Sequence, residues 1–192
     1  MDLTLINRLE IFKSIVANSI ATNVENKILD TEEGLKKAYN LLIMNKQENK
    51  HTFVIGNGGS AAIASHAVID FMNVAKLSAH TIHDSATLTC MANDYGYENV
   101  FSNILKVTIK ENDTLIAISS SGNSKNIINA VNTAKLNAAS VITLSGFDSE
   151  NTLRSLGDLN FWCNAKDYGM VEIAHQFILH NLVDRFNVNL AD

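Results

Sequence analysis

Hydrophobic residues recur every three or four positions in the first part of the chain, which is the spacing of an amphipathic helix. The spacing predicts one helix over residues 3–22 and a second over residues 31–46, which Thr31 can cap. The first helix has no obvious sheet to cover, so we expect its stripe to pack across the domain or, preferably, against a second subunit. The stripe positions are Leu3, Ile6, Leu9, Phe12, Ile15, Val16 and Ile20 in the first helix, and Leu35, Ala38, Leu41, Leu42 and Met44 in the second.

After a polar break at residues 46–50, short apolar runs alternate with helical patterns. Such runs are typical of a parallel sheet that helices cover on both faces. We therefore predict a single α/β domain over residues 1–192, with residues 1–48 as an N-terminal helical extension. The predicted strands are 52–56, 79–83, 114–118, 139–144 and 158–162, and the helices that follow them are 60–73, 85–93, 123–136 and 168–188.

Composition narrows the class of protein. The chain has 192 residues, of which 46% are hydrophobic and 18% are charged, enough for one well-buried domain. A net charge of −5 without a basic run argues against nucleic-acid binding. The chain has only two cysteines, without zinc-motif spacing, and it shows no signal pattern and no apolar run of membrane-spanning length. We therefore expect a cytoplasmic protein that does not contact a membrane.

Two predicted strands end in loops of small residues, one running from Gly56 to Ser60 and the other from Ser119 to Ser124. Each loop leads into a predicted helix, whose unpaired N–H groups favour an anion. Because parallel strands place their carboxyl ends at one edge of the sheet, both loops are expected to bind one phosphorylated small molecule. Neither loop matches a dinucleotide or P-loop pattern, which favours a sugar phosphate over a nucleotide. The alternative is that both loops are ordinary strand-to-helix turns.

Candidate reactive groups lie on two of the predicted helices. His66 and Asp70 are four residues apart, so they share a helix face and can share a divalent metal or simply hydrogen bond to each other. The last helix carries Glu172, His175, Gln176 and His180 among apolar residues, and we favour a functional cluster there over satisfied core or surface residues.

Two further groups of residues are less distinctive. The pair Asn93-Asp94 follows an apolar run and can either recognise sugar hydroxyls or end a helix before Gly96. His51, His80 and His83 flank strands without evident partners, and we assign them no role.

The order of these motifs resembles the phosphoheptose isomerases, the sedoheptulose 7-phosphate isomerases of the sugar-isomerase (SIS) domain class. The resemblance covers nearly the whole chain. It rests on Gly56-Asn57-Gly58-Gly59-Ser60, His66 and Asp70, Asn93-Asp94-Tyr95-Gly96, Ser119-Ser120-Ser121-Gly122-Asn123-Ser124, and Glu172 with His180. The resemblance implies a flavodoxin-like three-layer sandwich with a five-stranded parallel sheet, a homotetramer with active sites at subunit interfaces, and one Zn²⁺ per subunit.

The resemblance also implies roles for individual residues. Asp70 matches the base and His180 the acid. The substrate-binding positions are Asn57, Gly58, Gly59, Ser60, Asp70, Asn93, Asp94 and Glu172, and the phosphate-binding positions are Ser119, Ser120, Ser121 and Ser124. The metal-binding positions are His66, Asp70, Glu172 and His180. Two positions depart from the family, which usually has Glu at the position of Asp70 and Gln at that of Glu172.

The implied activity interconverts sedoheptulose 7-phosphate and D-glycero-D-manno-heptose 7-phosphate for lipopolysaccharide or capsule synthesis. Isomerisation of another sugar phosphate, or binding of a phosphosugar or protein without catalysis, remains open. Residues 172 and 180 lie eight positions apart, about 12 Å along a straight helix, so both can reach one metal only from an irregular helix or from different subunits.

Overall fold

We describe a computed structural model, which covers residues 3–188 and, for residue 188, the backbone alone. This part of the chain contains seven α-helices and seven strands. The helices are α1 (Leu5–Ala17), α2 (Thr31–Gln47), α3 (Gly59–Asp70), α4 (Ser85–Tyr95), α5 (Val100–Thr108), α6 (Lys125–Leu136) and α7 (Tyr168–Val188). The strands are β1 (Ile20–Asn23), β2 (Ile28–Leu29), β3 (His51–Ile55), β4 (Ser78–His80), β5 (Thr114–Ser119), β6 (Ser140–Ser145) and β7 (Leu159–Trp162).

The strands form one sheet in the order β2-β1-β7-β6-β5-β3-β4. All five predicted strands are present, and they pair in parallel as β4-β3-β5-β6-β7. The prediction of a five-stranded sheet is wrong, because β1 adds antiparallel to β7 and β2 adds antiparallel to β1. The sheet is therefore mostly parallel, with an antiparallel pair at one edge.

The extra strands come from residues 1–48, which were predicted to form an extension built from two helices. Helix α1 ends at Ala17, not at residue 22, and the Asn18 side chain donates to the Ser14 carbonyl where the helix stops. The chain then extends so that Ala21 pairs with Phe161 and becomes completely buried. Residues 1–48 thus contribute strands as well as helices, and β1 belongs to the main sheet.

Helices cover both faces of the sheet, as the apolar strands predict. One hydrophobic core packs β3, β5, β6 and β7 against α2, α3 and α7, and the other packs the opposite face against α5 and α6. Every residue of β5 is buried, which fixes this central strand and the loop that follows it. Within residues 3–188, no helix is both long and apolar enough to cross a membrane.

Candidate active site

The first loop turns sharply between β3 and α3. Gly58 has φ +54° and ψ −122°, a conformation that side chains rarely allow. The carboxylate of Glu172 lies in the space that a Cβ at Gly59 would occupy, so a larger residue there would have to displace this carboxylate. The two glycines therefore bring the first turn of α3 directly against a carboxylate from α7.

The side chain of Asn57 is held by its neighbours. It exchanges two hydrogen bonds of 2.9 Å with the Asn126 amide, and its oxygen also accepts a 3.0 Å hydrogen bond from the Tyr97 hydroxyl. The neighbouring Gly56 N–H donates to Nε2 of His83 at 3.3 Å. Burial lowers the pKa of His83, which keeps its ring neutral and able to accept this bond. These contacts fix the loop, and they occupy the Asn57 side chain that was predicted to bind substrate.

Serine hydroxyls cluster in the second loop, which follows β5. The Oγ atoms of Ser119 and Ser124 lie 3.2 Å apart, and the Oγ of Ser121 accepts from the Asn123 N–H. The Oγ of Ser120 is buried and has no hydrogen-bond partner within the described residues. A buried hydroxyl without a partner costs free energy, so a ligand that accepted its hydrogen bond would recover that cost.

The helices that follow these loops begin without a side-chain cap. Gly58, which precedes α3, has no side chain that could cap the helix. The side chain of Ser124, which precedes α6, accepts no hydrogen bond from the first helical turn. In contrast, Asp30 caps α2 and Asp84 caps α4. The uncapped N–H groups of α3 and α6, together with the positive ends of the helix dipoles, are available to an anion.

Both loops open into one cavity of ≈ 260 Å³. It brings together nine of the predicted substrate residues, namely Asn57, Gly58, Gly59, Ser60, Ser119, Ser120, Ser121, Ser124 and Glu172. Ile118 and Tyr168 also line it, although neither was predicted. The cavity lining thus combines serine hydroxyls and the start of two helices with a single carboxylate, that of Glu172.

Asn93 and Asp94 do not line this cavity in the described chain. They lie at the exposed end of α4, where the Asn93 amide donates to the Asp94 carboxylate at 2.9 Å. Their position within one subunit therefore offers no contact to a molecule bound between the two loops.

A second cluster lies further along α3 and α7. Oδ2 of Asp70 is 3.3 Å from Nε2 of His66 and 3.2 Å from Nδ1 of His180. An ionised carboxylate only accepts, so Nδ1 of His180 donates to it, and Nε2 then accepts from the Gln176 amide at 2.8 Å. Asp70 therefore lies between two imidazoles that it orients.

These three side chains fit a divalent metal. Their candidate ligand atoms all lie within 4.8 Å of one another, and two nitrogens with one carboxylate oxygen form a typical catalytic zinc donor set. Such a set leaves a coordination position open for substrate. His66 and His180 are also about half exposed, so the site faces the surface.

The fourth predicted ligand lies elsewhere in the same chain. Glu172 lines the cavity beside Gly59, whereas His180 lies eight residues further along the regular helix α7, about 12 Å away. One subunit consequently presents the phosphate-type cavity and the His66/Asp70/His180 cluster as two separate groups.

Comparison with known proteins identifies the family. The SIS domain profile matches residues 15–146. The chain belongs to the SIS domain family. It is 34% identical over 167 residues to the phosphoheptose isomerase of Helicobacter pylori, covering 84% of this chain and 86% of that one.

Solved structures of phosphoheptose isomerases share the fold of this SIS domain. The enzyme from Neisseria gonorrhoeae superimposes with a TM-score of 0.77 at 26% identity, over 96% of this chain and 100% of that chain. The enzyme from Francisella tularensis gives 0.80 at 25% identity, over 96% and 99%. The match therefore extends over nearly the whole chain.

Several site residues of this SIS domain were not found from the sequence. Asn126 and Tyr97 hold Asn57, His83 supports Gly56, and Tyr168 lines the cavity. Asn126 follows the serine loop by two residues and Tyr97 follows the Asn-Asp-Tyr-Gly segment, so each lies close to a motif. No local pattern indicates which distant side chain it contacts.

Proposed function

We propose that the protein is a ketose–aldose isomerase that interconverts sedoheptulose 7-phosphate and D-glycero-D-manno-heptose 7-phosphate. The observation that carries this proposal is the shared cavity of the two loops, where uncapped helix starts and serine hydroxyls converge. Such a cavity fits the phosphate of a small sugar, and the 34% identity to a phosphoheptose isomerase supports the heptose substrate.

The serine loop would hold the phosphate. Hydrogen bonds from Ser119, Ser120, Ser121 and Ser124, with N–H groups at the start of α6, would fix one end of the substrate. Binding energy from this non-reacting end positions the carbonyl end for reaction. Glu172 and the glycine loop would face the sugar chain between these two ends.

Isomerisation moves a proton between C1 and C2 through an enediolate, so it needs a base at carbon and an acid at oxygen. We assign Asp70 as the base and His180 as the acid, because the 3.2 Å contact between them allows a proton to be shared. His66, Asp70 and His180, with Glu172, would hold one Zn²⁺ per subunit. When bound, the metal would polarise the substrate carbonyl.

One subunit separates Glu172 from the other three ligands, so we propose that the site is completed between subunits of a homotetramer. Helices α1, α3 and α7, and the turn that follows α3, expose large apolar side chains, at Leu5, Leu9, Ile69, Met72, Ile173 and Phe177. Exposed apolar surface of this kind usually marks an interface. Association through it would bring the half-exposed His66/Asp70/His180 cluster of one copy toward the cavity of another.

The remaining assignments follow from this activity. We propose that residues 1–192 form one SIS domain that works in the cytoplasm, where it supplies heptose phosphate for lipopolysaccharide or capsule synthesis. No nucleic-acid or membrane partner is needed for this role.

The proposal is tested by turnover of a panel of sugar phosphates with metal-stripped and metal-loaded protein. Stripped protein should be inactive on sedoheptulose 7-phosphate and should regain activity with Zn²⁺. Full activity without metal would contradict the metal assignment. Preference for a pentose or hexose phosphate would contradict the heptose assignment, and metal-loaded protein that turned over no sugar phosphate would favour a binding protein.

A further inference from the structure

A third group of polar side chains meets where β3 and β4 begin, at the end of the parallel strands opposite to the two loops. His51 begins β3, while Ser78 and His80 lie on the edge strand β4. The strands pair with His51 opposite Ser78. Because alternate residues of a strand point to the same face, His80 shares the face of Ser78, and all three side chains are exposed.

The three polar atoms form a nearly equilateral triangle. Nδ1 of His51 lies 3.0 Å from Oγ of Ser78 and 3.1 Å from Nε2 of His80, and these last two atoms are also 3.1 Å apart. Around a zinc ion with bonds of about 2.0–2.1 Å, the ligand atoms of a tetrahedral site lie about 3.3–3.4 Å apart. The triangle therefore matches one face of such a site to within a few tenths of an ångström.

Hydrogen bonding alone accounts poorly for this arrangement. In a neutral histidine, each ring nitrogen either donates or accepts, and the serine hydroxyl has a single proton. Three short contacts among three atoms would need three well-directed protons inside the triangle. One cation that accepts a lone pair from each atom satisfies all of them at once.

The surroundings also suit a cation. The buried carboxylate of Asp113 accepts hydrogen bonds from the backbone N–H groups of His51 and Lys110. These bonds hold the carboxylate next to His51, one corner of the triangle.

We propose that His51, Ser78 and His80 form a second divalent-metal site, separate from the His66/Asp70/His180 cluster. Two imidazoles favour Zn²⁺ or Cu²⁺ among the common divalent ions, and the exposed position leaves the fourth coordination site to water. A bound ion would tie the edge strand β4 to β3.

The test uses the full chain with the other cluster removed by the double substitution His66→Gln and His180→Gln. Zn²⁺ binding is measured by calorimetry, and Cu²⁺ is used as a spectroscopic probe of nitrogen coordination. We expect this variant to retain one metal equivalent per chain, with two imidazole nitrogens bound to Cu²⁺. Adding His51→Gln and His80→Gln should remove that equivalent. Adding Ser78→Ala instead should lower the affinity for the metal several-fold.

The proposal would be overturned if the first variant bound no metal, or if binding survived the loss of both His51 and His80. Thermal melts in the presence of a chelator check that each variant folds, and the exposed positions of the substituted side chains favour this. In the otherwise unmodified protein, the pair His51→Gln and His80→Gln should leave isomerase turnover unchanged. A loss of turnover in the folded variant would contradict the separation of this site from isomerase activity. The metal measurements do not depend on isomerase activity, so the two proposals can fail separately.

Discussion

The Ser124 hydroxyl allows phosphate binding to be separated from helix capping. Ser124 directly precedes α6, where a capping serine usually contributes about 1 kcal/mol. Its side chain makes no such bond and lies instead 3.2 Å from the Ser119 hydroxyl. We therefore expect Ser124→Ala to weaken substrate binding much more than it weakens folding.

The expected sizes of the two effects differ. A hydrogen bond to a charged phosphate contributes about 1.5–3 kcal/mol, so its loss should raise KM for sedoheptulose 7-phosphate by about 10- to 150-fold. The lost contact with Ser119 is between neutral groups and contributes about 1 kcal/mol, which lowers Tm by about 2–4 °C in a chain of this length. Steady-state kinetics and scanning calorimetry measure the two effects.

Asp30→Ala is the matched control. Asp30 caps α2 through a 2.8 Å hydrogen bond from the Glu32 N–H, and it does not line the cavity. Its substitution should lower Tm by a similar few degrees and leave KM unchanged. If Ser124→Ala behaves like Asp30→Ala, with a lower Tm and an unaltered KM, Ser124 has only a structural role and the phosphate clamp is wrong.

Three further predictions concern proton transfer, pH and assembly. Asp70→Asn should abolish turnover while the protein retains some metal, and Glu172→Gln should reduce turnover far less. If kinetic and metal assays give the reverse result, Glu172 is the base. Burial lowers the pKa of His175 from 6.5 to about 4, so at pH values between these two the unfolded chain binds a proton that the native state does not bind. The free energy of unfolding should therefore fall by about 3 kcal/mol between pH 6.5 and 4. His175→Gln should flatten that part of the pH profile in denaturant melts, and an unchanged profile would exclude His175 as the cause. Light scattering should find a tetramer at assay concentration, whereas an active monomer would exclude a shared site.

Periodicity predicted most of the fold but not the edge of the sheet. The five parallel strands are short apolar runs, four of which precede a predicted helix, and both signals are local. Ile20 continues the helical spacing of the preceding segment, so the sequence favoured a helix that extended to residue 22. They form a strand because β7 supplies a pairing partner and burial of Ala21, which a reading of local spacing cannot include.

Helix α5 was missed for a different reason. Its nine residues, Val100–Thr108, carry an apolar face, but they follow a tight turn through residues 97–99 without a distinct capping residue. A short helix of this kind is stabilised by its contact with α6 and the sheet rather than by its own sequence.

For the site, the sequence by itself determined whatever depends on spacing along the chain. It placed two glycine and serine loops at strand ends, which a parallel sheet must bring to one edge, and it put His66 and Asp70 on one helix face. Only the tertiary structure decided which distant side chains meet. It brought His180 to Asp70, left Glu172 at the cavity, locked Asn57 against Asn126, and joined His51 to His80. Such contacts depend on how helices and strands pack across the sheet, and that packing is set by burial and pairing between segments far apart in the chain.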